Sequence, residues 1–176
     1  MRAPVQVSRS TDAGTVPAMT LGVLAGAAAG AAGTTALNAA TYLDMALRGR
    51  PASGTPQQLV ETMAADAHVP IPGSGDSRDN RLSGLGPLFG TGVGVAVGTA
   101  AGVVQRALHR RGRRLPAPVA VVALAAAAML LSDAPLKLFG ISDPATWKPA
   151  DWLSDALPHL AYGATTYATL LGTEAL

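Results

Sequence analysis

Residues 86–102 read GPLFGTGVGVAVGTAAG, which places glycine at Gly86, Gly90, Gly94, Gly98 and Gly102. A four-residue step advances about 400° around an α-helix, so these glycines form one slowly winding groove into which a second helix can settle. In water each would cost about 1 kcal/mol relative to alanine, whereas in lipid small residues let two backbones come together. Upstream, Gly22, Gly26 and Gly30 repeat the spacing inside another apolar run. The two ladders predict an all-α fold, a bundle of four transmembrane helices with glycine-zipper packing.

Working outward, the apolar runs set the spans at about 17–40, 85–108, 116–131 and 153–173. The first exceeds the roughly 20 residues needed to cross a 30 Å hydrocarbon core, and it continues toward Leu47, so its last turns should stand in the interface. The third run covers only about 24 Å, which calls for local thinning or an extension through Leu115. Residues 1–16 are polar and read as a disordered tail before a single membrane domain, 17–176. A cleaved signal peptide competes with this reading, but the first run is of spanning length.

The polar loop 48–83 contains one well-signalled short helix, about 56–67. Thr55 suits its N-cap, Pro56 its first position, and Gln58 completes a capping box. Leu59, Val60, Met63 and Ala67 share a side, as expected for a helix lying on the membrane surface or capping the bundle. Residues 73–81 read as a flexible charged loop. After the third span a polar connection carries Asp133, Lys137 and Asp143, and Trp147 and Trp152 suit the interface.

The chain of 176 residues is 49% hydrophobic and 14% charged, which favours a bilayer bundle over a soluble core. Its formal net charge is only +2, yet Arg106, Arg110, Arg111, Arg113 and Arg114 cluster in the link between spans two and three. That link should be cytoplasmic, and four spans then put both termini on the cytoplasmic side of the plasma (inner) membrane. The cluster has no interleaved aromatics and no recognised module, so nucleic acid is not its partner; Arg110, Arg111, Arg113 and Arg114 are expected against anionic lipid. The absence of cysteine removes disulfides, thiolate nucleophiles and Cys-ligated metals. No metal or cofactor is expected: residues 76–81 lack the alternating acids of a calcium loop, and the glycines at 90–94 lack the Lys-Ser/Thr of a phosphate loop.

Polar residues at the span ends offer one constellation. Asp155, His159 and Tyr162 can share a helix face, and Asn38 and Asp44 reach the same outer side under this topology. Together they are candidates for an outward vestibule that binds a polar solute, a headgroup or a partner. The simpler alternative has Asp44 paired with Arg48, Asn38 bonded to a neighbouring helix, and Asp155 placed at a positive helix N-terminus. No nucleophile and base converge, so an enzyme is not expected.

The stretches LAGAAAGAAG (24–33), NAATYLDMALRGRP (38–51) and PHLAYG (158–163) are similar to those of a group of small actinobacterial membrane proteins, and the chain also resembles the YagU-like inner-membrane family. The resemblance implies four spans and no assigned activity. The leading expectation is a structural or accessory membrane protein, self-associating or joined to a membrane partner. A small permease or channel component is the alternative, and a lipid-processing membrane enzyme is a third.

Overall fold

The computed structural model describes residues 18–174, so the expected tail at 1–16 lies outside the described residues. The described chain forms five α-helices: α1 (Ala18–Arg48), α2 (Thr55–Asp66), α3 (Asp76–Arg110), α4 (Ala117–Leu138) and α5 (Pro149–Glu174), with a 3₁₀ turn at Pro144–Thr146. Three segments are long and apolar enough to cross a membrane: Met19–Arg48, Asp76–Arg110 and Ala117–Leu138. The more polar α5 completes the bundle.

α1 and α3 run antiparallel and meet at glycine. A Cβ on Gly22 would lie 3.2 Å from the Gly102 carbonyl oxygen, and one on Gly30 would lie 2.5 Å from that of Gly94. Between them, Gly26 and Gly98 are so close that a Cβ on either would overlap the other helix's backbone. Not all of the sequence ladder lies in this seam. Gly86 abuts Pro56 and Gln57 of α2, and Gly90 has nothing within 4 Å of where a Cβ would stand. The helical drift of about 40° per four-residue step turns this end of α3 away from α1.

α5 packs along α1 and against α4. Tyr162 and Thr166 press on Gly33 of α1, and Gly163 abuts the Val121 carbonyl and Ala125 of α4. The main core consists of Val97, Leu124, Ala128 and Tyr162, drawn from three helices. Tyr162 is fully buried and its hydroxyl donates to the Gly94 carbonyl oxygen at 2.6 Å, tying α5 to α3 at the end of the glycine seam.

Several boundaries differ from those expected. α3 starts at Asp76, so most of the supposed loop 73–81 is helical, and Asp76 and Asp79 sit in the first turn where the helix dipole favours acids. Arg81 folds back to donate to the Ser77 hydroxyl (2.7 Å) and the Pro72 carbonyl (3.0 Å). α4 reaches Leu138, so Asp133 and Lys137 are helical rather than part of the connection. Its 22 residues cover about 33 Å, which removes the shortfall of a 16-residue span. α5 begins at Pro149, before the expected 153.

The short helix α2 is present, but Gly54 is its N-cap and no capping box forms. Ser53 instead accepts from the Thr55 N–H at 3.3 Å. α2 buries Leu59 and is joined to α3 by Glu61 and Arg78 at 2.6 Å. In the α4–α5 connection the Asp143 carboxylate accepts from the Ala145 N–H and pairs with Lys137 at 3.1 Å, contacts that hold its pKa below the usual carboxylate range. Trp147 and Trp152 meet edge to face there, with ring centroids 5.2 Å apart.

Candidate functional site

The C-terminal ends of α1 and α4 and the N-terminal part of α5 meet at one end of the bundle, where most of the charged side chains with tertiary partners gather. On α1, Asp44 accepts from both guanidinium groups that follow it, Arg48 at 2.7 Å and Arg50 at 2.5 Å. Arg48 also donates to the Ser154 hydroxyl of α5 at 2.5 Å, so this ion pair becomes a tie between helices. Asp44 is therefore occupied by its own arginines.

On α5, His159 lies one turn after Asp155. Its Nδ1–H donates to the Asp155 carbonyl oxygen at 2.8 Å and stands 3.4 Å from the Asp155 carboxylate. The third member is Asp133 of α4, 9% exposed and within electrostatic reach of both Asp155 and His159. Two carboxyls and one imidazole thus share a largely desolvated corner, and in such a setting each group depends on its partners. Among the described residues, no group of three acidic, histidine or cysteine side chains is arranged to hold a metal ion.

Of the residues expected to line one vestibule, Asp155 and His159 are in contact, and Asp44 is held by Arg48 and Arg50. Asn38 is half-buried on α1 and makes no side-chain hydrogen bond among the described residues. Tyr162 is a core residue, with its hydroxyl committed to Gly94. Asp133 was missed because it fell beyond a third span drawn too short. The shortfall of that span was itself the signal, since extending it to the stop at Phe139-Gly140 carries Asp133 into the helix.

Tyr162 allows a direct check. Tyr162→Phe keeps the ring against Gly33 and Gly94 and removes only the buried hydroxyl, so it is expected to cost about 1 kcal/mol. A lowered thermal midpoint with unchanged helicity is the expected outcome, and an unchanged midpoint would show that the bond to Gly94 contributes nothing.

The arginine cluster lies at the opposite end. Arg110 closes α3, and Gly112, at φ +65°, makes the left-handed turn that sends the chain toward α4. The Arg113 N–H donates to the Leu108 carbonyl at 3.0 Å, fixing that turn. Arg113 and Arg114 then stand on the wall of a cavity of about 380 Å³ between α3, α4 and α5, while Arg110 and Arg111 lie outside its lining.

Among the described residues these features define an all-helical class with three helices long and apolar enough to cross a membrane. Compared with known protein families, with curated proteins and with solved structures, the chain matches none.

Proposed function

We propose that the protein is a non-enzymatic, four-span integral protein of the plasma membrane, structural or accessory in role, with both termini cytoplasmic. The observation that carries this reading is the α1–α3 seam, in which glycine meets glycine across two long apolar helices. Without a hydrophobic drive between helices in lipid, such close backbone approach is what holds them together, and here it acts as a glycine zipper. Met19, Leu24, Val122, Leu130 and Leu171 project outward from α1, α4 and α5, an apolar belt suited to acyl chains. In this reading α5 is the fourth span, its polar first turns lying in the interface. This is also the architecture implied by the likeness to the YagU-like family.

Membrane extraction and topology reporters test it. The protein is expected to stay with membranes through an alkaline carbonate wash, and reporters fused at either terminus are expected to remain cytoplasmic. Release without detergent would overturn the membrane assignment. An external C-terminal reporter beside a cytoplasmic N-terminal one would reduce the spans to three.

A second reading, a small permease or channel component, draws on Asp133, Asp155 and His159, because ionisable groups inside a membrane bundle mark ion and proton paths. It predicts solute or proton flux in vesicles that Asp133→Asn abolishes.

A further inference from the structure

We propose that the groove between α3, α4 and α5 seats an acyl chain of an anionic glycerophospholipid, with the lipid phosphate held by Arg113 and Arg114. The inference rests on the membrane assignment above and names a specific ligand class for one site on that bundle.

Three observations converge on it. The cavity walls are mostly apolar, and the short side chains among them, such as Val97, Ala100, Ala123 and Ala127, leave a slot between the leucines instead of filling it. Its volume of about 380 Å³ lies within the roughly 300–1,000 Å³ of small-molecule sites. Secondly, the slot exists because α3 packs closely on α1 but touches α4 only lightly; the glycines serve the first contact, and nothing comparable draws α4 in. Thirdly, the mouth is cationic. Arg113 and Arg114 border it, and neither has an acidic partner among the described residues.

A hydrocarbon slot beneath two guanidinium groups that have no acidic partner among the described residues is complementary to one kind of molecule, an amphiphile with an apolar tail and an anionic head. Guanidinium binds phosphate oxygens through paired N–H donors, and among the described residues no carboxylate offsets its charge here. The bilayer supplies such amphiphiles at high local concentration. Arg106, Arg110 and Arg111 add positive potential around the same turn, which favours an anionic headgroup over a zwitterionic one. A helix from a second copy would fill the slot but would leave the arginines unanswered.

The test uses the full-length protein in phosphatidylcholine vesicles doped with either phosphatidylglycerol or phosphatidylcholine carrying a photoreactive acyl chain, with labelled peptides mapped by mass spectrometry. Labelling within 96–108 and 120–131 is expected to favour phosphatidylglycerol, and each of Arg113→Gln and Arg114→Gln should reduce that preference about fivefold. Ala123→Trp, placed in the slot at an exposed position, should suppress labelling there for both lipids while the arginine variants remain fully labelled by phosphatidylcholine. Equal labelling by the two lipids, or a preference that survives both arginine substitutions, would overturn the proposal. So would a dimer that Ala123→Trp dissociates, because a second copy would then occupy the groove. If Ala123→Trp does not fold, the arginine variants alone decide. Loss of the protein to the carbonate wash refutes the membrane assignment, whereas retention with equal labelling refutes only the lipid site.

Discussion

Gly98→Leu is expected to unseat α1 from α3 and lower the thermal midpoint in detergent by at least about 6–12 °C, corresponding to a loss of about 3 kcal/mol or more. The size follows from what the new side chain meets. A Cβ on Gly98 would run into the Gly30 backbone and stand 2.5 Å from the Gly26 carbonyl oxygen, and neither is a flexible side chain that can swing aside. The helices must separate, and separation also opens the neighbouring contacts of Gly22 with Gly102 and of Gly30 with Gly94. A Cβ at Gly90 or Gly92 meets nothing within 4 Å, so leucine at either position is expected to leave midpoint and size-exclusion profile unchanged. Five glycines on one helix thus separate into a seam, Gly94, Gly98 and Gly102, and an open face, Gly90 and Gly92. If Gly98→Leu melts like the parent protein, the seam does not hold the bundle.

The glycine periodicity made the α1–α3 contact legible, because spacing alone fixes which residues share a helix face. Where the ladder ends was not legible. Whether Gly86 meets α1 or α2 depends on where α2 folds back, which is tertiary information: Leu59 and Glu61 anchor α2 on α3, and Pro56 then covers Gly86. Charge misled at the boundaries. Asp76, Arg78, Asp79 and Arg81 read as a loop by polarity, yet acids in a first turn and arginines that reach back to Ser77 and across to Glu61 are compatible with helix. At the polar end, the Asp155–His159 pair follows from i, i+4 spacing, and Asp44 with Arg48 likewise. Asp133 joins only through the crossing of α4 and α5, for which no local pattern exists. Tyr162 sits one turn from His159 in the sequence, but its burial is set by the absence of side chains at Gly33 and Gly94, on two other helices.

His159→Ala is expected to destabilise the bundle by about 3 kcal/mol, the cost of stripping a buried ionisable cluster of the one member able to balance its acids. Without the imidazole, Asp133 and Asp155 remain within electrostatic reach of each other in a corner where Asp133 is only 9% exposed. Asp133→Asn removes one of those acids while preserving shape, so in the His159→Ala background it should recover part of the loss. A double-mutant cycle on these two positions is therefore expected to depart from additivity by about 1–3 kcal/mol. The corresponding cycle on Asp44 and His159 should be additive, because Asp44 is answered by Arg48 and Arg50 and reaches α5 only through the Arg48–Ser154 bond. Strict additivity at Asp133 and His159 would dissolve the cluster as a unit. Coupling between Asp44 and His159 would instead mean that both ends of this polar corner face one shared space, the arrangement that a solute-conducting vestibule demands.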